Sequence, residues 1–246
     1  MKHTLLALLF LLIVTHSINA QIITDRPTQA AGSSIVARGA FQIESGILLS
    51  YEEVSEHSSS RQLLLPTTLF RYGLSNIFEL RVAPQYELNE AEGQTVNGFS
   101  DLSIGTKIQL LNKAEKNTQI AFLTHLIVPT GTSELRSDKY GTSSSLCLSN
   151  KLCDNMSLGY NIGYNYFGEG NGDFTYSAAL GIGVNDKVGI YIEPYGALVN
   201  MDDFQLNADA GFTYLANNNL QFDLSFGTGI NNRMNYMSVG CSWLFK

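Results

Sequence analysis

Residues 157–167 read SLGYNIGYNYF. The even positions, Leu158, Tyr160, Ile162, Tyr164 and Tyr166, are large and apolar. The odd positions, Ser157, Gly159, Asn161, Gly163 and Asn165, are small, polar or bare, and uncharged. A period of two marks a β-strand with two unlike faces. In a soluble sandwich the apolar face packs inward and the other face meets water, usually with charge. Here the second face carries no charge and suits a crowded polar lumen, so the apolar face is expected to meet lipid.

The same alternation recurs along the chain. Phe174, Tyr176, Ala178, Leu180 and Ile182 alternate with Thr175, Ser177, Ala179, Gly181 and Gly183, and Leu220, Phe222, Leu224 and Phe226 alternate with Gln221, Asp223, Ser225 and Gly227. Strands are predicted near 41–51, 62–72, 77–87, 100–110, 118–128, 142–152, 156–166, 174–184, 187–198, 204–214, 219–230 and 236–245. Soluble strands have a mode of about 5–6 residues, whereas membrane-barrel strands need about 9–11. Longer connections such as EEVSEHSSS, NEAEGQTVNG and PTGTSELRSDKYG mostly alternate with tight ones such as GLSN, CDN and ND. Outer-membrane barrels have long outer loops and short periplasmic turns. On that assignment Tyr51, Tyr86, Tyr164, Tyr166, Phe174, Tyr176 and Phe204 ring the outer rim. Phe70, Tyr72, Phe78, Phe212, Tyr214, Phe222, Trp243 and Phe245 ring the periplasmic one. Amphipathic rings prefer the headgroup level. The expected fold is therefore all-β, a transmembrane antiparallel β-barrel of about 12 strands over 41–246, in the outer membrane of a Gram-negative cell.

Before the strands, MKHTLLALLFLLIVTHSINA has a short basic start, an apolar run from Leu5 to Val14 and a small-residue exit. Residues 1–20 thus read as a secretory signal peptide, the run being too short for a spanning helix of about 20 residues. Residues 21–40 are polar, contain Pro27 and do not alternate. Two placements are open for them: a plug in the lumen, with Asp25 and Arg26 paired to wall charges, or a loose periplasmic tail. The chain's net charge of −7 argues against nucleic acid. Charged residues are 15% of the chain, against a usual share of about 25%. Cys147, Cys153 and Cys241 are neither a disulfide framework nor a metal motif, although one pair stays open. No cofactor is expected.

Several segments resemble a known family. IITDRPTQAAGSSIVARGAFQIESG at 22–46, LFRYGLSNIFELRV at 69–82, FSDLSIGTKIQL at 99–110 and VPTG at 128–131 are similar to the transporter-like proteins grouped as the "MetA-pathway of phenol degradation" family. The resemblance spans roughly 22–246. It implies an outer-membrane barrel that takes up aromatic or otherwise hydrophobic compounds, and brings no catalytic motif. The last strand, YMSVGCSWLF, ends in Phe245, as barrels read by the outer-membrane insertion machinery commonly do; here Lys246 follows.

Strand parity turns Glu44, Arg71, Glu79, Arg81, Asp101, Lys107, His125, Lys151, Glu193, Asp209 and Asp223 inward. They read as a selectivity lining or as ion pairs that stiffen a narrow barrel. Tyr191, Glu193 and Tyr195 place two phenols around a carboxylate, a contact for an aromatic solute or simple space-filling. Pro66, Pro84 and Pro194 lie within strands on the outward parity, where a break or bulge is expected. One such kink could open the wall sideways to lipid. An enzyme would need a His within reach of a Ser or acid; only His57, beside Ser58–Ser60, and His125 qualify. GEGNGD at 168–173 reads as a turn rather than a calcium loop. The expected function is passive passage of small aromatic or hydrophobic solutes, with a non-conducting structural or surface-interaction barrel as the alternative. The expected partners are the lipid bilayer, the insertion machinery and a small-molecule solute.

Overall fold

The computed structural model describes residues 22–55, 58–112 and 117–246, and no helix occurs among them. The segment read as a signal peptide and His57 lie outside these residues. Fourteen strands run in chain order: β1 Phe41–Ser55, β2 Ser58–Gly73, β3 Phe78–Ala83, β4 Gln85–Ala91, β5 Gln94–Phe99, β6 Leu102–Asn112, β7 Thr118–Val128, β8 Gly141–Cys153, β9 Met156–Tyr166, β10 Asp173–Gly183, β11 Val188–Val199, β12 Asp203–Asn217, β13 Leu220–Gly229 and β14 Met234–Phe245. They build twelve staves. β3 and β4 are two lengths of one stave interrupted at Pro84, and β5 and β6 are two lengths of the next, interrupted at Ser100–Asp101. Accordingly β2 pairs with both β3 and β4, while β3 pairs with β6 and β4 with β5. β1 closes the sheet on β14, from Phe41↔Phe245 to Glu52↔Met234. Closure leaves no free edge, which lipid demands because it offers backbone groups no hydrogen-bond partner.

NEAEGQTVNG is not the long loop its polarity suggests. It forms the β4–β5 hairpin, turned at Glu92 and Gly93, both with positive φ (52° and 75°). Such a two-residue turn matches the strand twist. Alternation fades there because both faces of the hairpin are polar, not because the ladder ends. The prolines differ among themselves. β2 carries a bulge between Leu64 and Thr67, around Pro66, and Pro84 ends β3. At Pro194 the pairing with β12 is continuous, and the ladder to β10 resumes in unchanged register at Leu180↔Ile192.

The polarity of the barrel is inverted. Ile162 is 51% exposed and Asn161, its neighbour in sequence, 8%. Outward rings at the rim where the barrel begins and ends touch one another: Phe41 packs on Phe70 and Phe245, and Trp243 stacks on Phe245 at 4.7 Å. At the opposite rim Tyr176 stacks on Phe204 and Tyr86 meets Phe99 edge-on. The largest fully buried side chains are Arg71, Lys107, Gln42, Gln221, Glu44, Glu79 and Glu193. The apolar core is a small patch of Ala121, Leu123 and Cys147. All three cysteines are free.

Candidate solute path and the segment that fills it

A charged interior must neutralise itself, because an unpaired buried ion is costly. Arg71 makes a two-pronged contact with Glu79 (Nε–Oε1 and Nη2–Oε2, both 2.8 Å) and donates from Nη1 to Glu44 at 2.6 Å. Arg81 donates to Glu79 at 2.7 Å. These pairs follow from the strand register: Arg71 faces Arg81, and Glu79 faces Lys107. The wall alone therefore has a cationic surplus at this level, from Arg71, Arg81 and Lys107.

The surplus is met from inside the barrel. Residues 22–40 thread the lumen, and Asp25 sits among the three cations, accepting from Lys107 Nζ at 2.8 Å and from Arg81 Nη2 at 2.5 Å. Arg26 carries the opposite charge to the opposite wall, donating to Asp223 (2.9 Å), Ser238 (2.9 Å) and Thr67 (3.2 Å). Gly46 and Gly240 make room for its guanidinium; a Cβ at either position would lie 2.5–2.6 Å from it. An extended strip without secondary structure must also satisfy its own N–H groups. Glu44 accepts from Asp25 N and Arg26 N, Glu193 from Gln29 N and Ala30 N at 2.7 Å each, and Glu79 from Val36 N at 2.7 Å. Asn161 matches both backbone polar groups of Ala31 with its amide (2.7 and 3.2 Å).

Most of the residues singled out from sequence thus touch this strip. Glu44, Lys107, Glu193 and Asp223 bind it directly, and Tyr191 donates to Pro27 O at 3.3 Å. Asp209 is buried beside Glu193 and accepts from Tyr236 at 2.5 Å. Tyr195 is half-buried on the same face. His125 accepts from Arg81 through Nε2 at 3.2 Å. Asp101 lies elsewhere, near the upper rim, gathering Thr130 N, Gly131 N and Ser137 N into its carboxylate. Burial would raise that carboxyl; the hydrogen bonds from Ser137, Gly131 and Thr130 outweigh it and hold it below the usual carboxylate value. Lys151 is exposed and pairs with Asp154. The parity reading did not single out Tyr236, which supports Asp209, or Gln119 and Ser149, which hold Ser33. In the 168–173 turn Gly168, Gly170 and Gly172 all have positive φ.

Two cavities flank the strip. One, of about 680 Å³, opens toward the rim carrying the β8–β9 and β10–β11 turns and is lined by Ile22, Gln119, Ser157, Thr213 and Gln221 among others. The second, of about 430 Å³, lies on the other side of Asp25 and Arg26. Its walls include Arg81 and His125 from the lumen, but also Ala83, Gln85, Ser100 and Asp101 at the two interrupted staves, and Thr68, which belongs to the outward face of β2.

A closed twelve-stave barrel with an apolar exterior, aromatic rims and a polar interior is a β-barrel of the outer-membrane type. The chain belongs to the family described as "Putative MetA-pathway of phenol degradation", whose model matches residues 24–243. It is the family that the segments at 22–46, 69–82, 99–110 and 128–131 resemble. Among solved structures the chain is similar to an outer membrane channel from Pseudomonas putida F1, at 12% identity and a TM-score of 0.76, covering 89% of this chain and 100% of that one. It is also similar to the KdgM porin in complex with oligogalacturonate (12% identity, TM-score 0.57, 83% of this chain and 99% of that one). A third likeness is to the translocator domain of the autotransporter NalP from Neisseria meningitidis (12%, 0.51, 85% and 89%). No curated protein matches the chain in sequence.

Proposed function

We propose that this protein is a passive outer-membrane channel for small aromatic or hydrophobic solutes, and that they leave the lumen sideways through the wall. The observation that carries this reading is the 430 Å³ cavity, which runs from Arg81 and His125 to the place where both staves are interrupted, between the Ala83↔Ser103 pair and the bond from Ser100 N to Gln85 O (2.9 Å). Residues 22–40 act as a plug on the axial route in this reading, which leaves the wall break as the way out. The cavity's small, mostly uncharged side wall of Thr67, Thr68, Leu69, Ala83 and Ser103 suits a solute with little to hydrogen-bond. Catalysis finds no support in its histidine, because His125 Nε2 is occupied by Arg81.

Uptake of a radiolabelled monoaromatic compound into liposomes tests the route. Wild-type protein should load the vesicles, and Ala83→Trp, which fills the cavity from its strand, should abolish uptake while leaving the single-channel trace in planar bilayers unchanged. Equal uptake by Ala83→Trp would remove the lateral path. The filled lumen also fits a closed structural barrel, and that alternative predicts no uptake by either protein.

A further inference from the structure

Among the described residues three buried carboxyl groups have no ion pair: Glu87, which accepts from Gln62 at 3.0 Å, and the adjacent Glu193 and Asp209. The latter two face each other across the β11–β12 ladder, 1% and 5% exposed. Asp223 nearby is neutralised by Arg26. Among the described residues no ion pair reaches Glu193 or Asp209. The groups beside them are Tyr191 and Tyr195 from β11 and Tyr236 from β14, with the Gln29 side chain and the Gln29 and Ala30 amides from the inner strip. None of these is cationic. Both oxygens of Glu193 accept strip amides, and Asp209 Oδ2 accepts from Tyr236. Asp209 Oδ1 is buried and receives no N–H or O–H donor. The in-register pairing across the ladder sets the two carboxyl groups side by side on the same buried face. Adjacent like charges in a dry site cannot both ionise cheaply, and a proton on one of them supplies the donor that Asp209 Oδ1 lacks.

We infer that Glu193 and Asp209 hold one proton between them and that this shared proton latches residues 22–40 into the lumen. With the proton on Asp209 Oδ1, Asp209 donates to Glu193, and Glu193 keeps a single negative charge for the Gln29 and Ala30 amides. Hydroxide removes the proton as water. Two bare carboxylates then stand side by side, Glu193 turns away or draws in water, and both strip amides lose their acceptor. The latch is released on the alkaline side. It extends the channel reading by naming what regulates the lumen, but concerns the axial plug and not the lateral route.

The test uses the full chain in liposomes, with hydrogen exchange of the Gln29 and Ala30 amides and single-channel conductance measured from pH 6 to pH 10. After allowance for the intrinsic tenfold rise of exchange per pH unit, opening governed by one proton should rise by up to a further tenfold per unit above its midpoint. Asp209→Asn supplies a permanent N–H donor to Glu193 and should stay latched and quiet throughout. Glu193→Gln also removes the charge pair but accepts only one strip amide; it should be pH-independent and looser than wild type. Titration of tyrosines or of Lys107 survives in both variants, so it cannot imitate this pattern. A wild-type protein without the extra pH dependence, or an Asp209→Asn variant that titrates like wild type, overturns the latch. The amide readout does not depend on any solute passing, so failure of the lateral channel reading would leave it intact.

Discussion

Asp25→Ala is expected to loosen the inner strip. The Asp25 carboxylate takes Lys107 at 2.8 Å, Arg81 at 2.5 Å and Gly32 N at 2.8 Å, with Arg71 3.8 Å away. Without it, Arg71, Arg81 and Lys107 face only Glu44 and Glu79. Removing one partner from a buried ion network costs roughly 3–5 kcal/mol, since a charge is left uncompensated in a dry site. The penalty falls on the docked state alone, because an undocked strip lets water into the lumen and the wall cations are solvated again. At about 1.4 kcal/mol per factor of ten, the docked-to-undocked ratio should fall by roughly 10²–10³. The amides of Gln29, Ala30 and Val36 report this directly, because each is bonded only to a wall carboxylate, Glu193 or Glu79. Their hydrogen exchange should accelerate by the same factor, while amides in the β11–β12 ladder keep their rates. Unchanged exchange at all three positions would refute the claim that the ion cage holds the strip. Asp25→Asn, which keeps the shape and one acceptor, should fall between the two.

Three further outcomes follow from the same geometry. Asp101→Ala should expose residues 129–137 to protease, because three backbone N–H groups lose their acceptor. In the wild type the folded carboxyl lies below its ordinary value of 3.8, so the loop is fully held above that pH and loosens only as acid titrates the lowered group; protection lost already near pH 6 would contradict this. Ile162→Arg places a charge on the lipid face in mid-strand and should cost about 2–4 kcal/mol in a urea refolding titration from lipid vesicles, whereas a cost near zero would place Ile162 outside the bilayer. Trp243, the chain's one tryptophan, is 52% exposed at the aromatic rim; lipids brominated near the glycerol level should quench it strongly, and quenching by aqueous iodide as for free tryptophan would argue against that depth.

What the sequence made legible was whatever repeats every two residues. Ile162 and Asn161 differ in exposure as their chemistry suggests, and Pro84 marks a real interruption of the wall. The β4–β5 hairpin escaped because a ladder with two wet faces has no alternation to betray it. The place of residues 22–40 stayed open between a lumen plug and a periplasmic tail for another reason. Asp25, Arg26 and the Gln29 and Ala30 amides find partners as far along the chain as Glu193 and Asp223, and nothing local in DRPTQAAG encodes that. Parity could turn Glu193 toward the lumen, yet it could not say whether a solute or the protein's own backbone would meet it there. The Tyr191–Glu193–Tyr195 face holds the strip through Pro27, Gln29 and Ala30. Asp101 shows the limit of parity at a strand end: one residue before β6, its side chain is set by the loop it gathers.

The wall carboxylates that cap the strip's amides become something else once the strip leaves. On the lumen wall, Arg71, Arg81 and Lys107 then stand against Glu44, Glu79, Glu87, Glu193, Asp209 and Asp223. Inside the lumen the strip brings one acid and one base, Asp25 and Arg26, its other base Arg38 being exposed beside Gly73, so docking changes the distribution of lumen charge and not its sum. Docked, Asp25 and Arg26 are paired to wall charges and Glu193 caps two strip amides. Undocked, the β11–β13 side exposes three acids without a cation, because Arg26 has gone from Asp223, while the β2–β6 side keeps its internal pairs. Unpaired lumen charge sets the preference of a pore, so the undocked state should favour cations. A reversal potential measured for Asp25→Ala across a potassium chloride gradient reads this directly. A cation-selective value supports the assignment of Glu193, Asp209 and Asp223 to one acidic wall, and an anion-selective value would mean that Arg71, Arg81 and Lys107 dominate the open lumen instead.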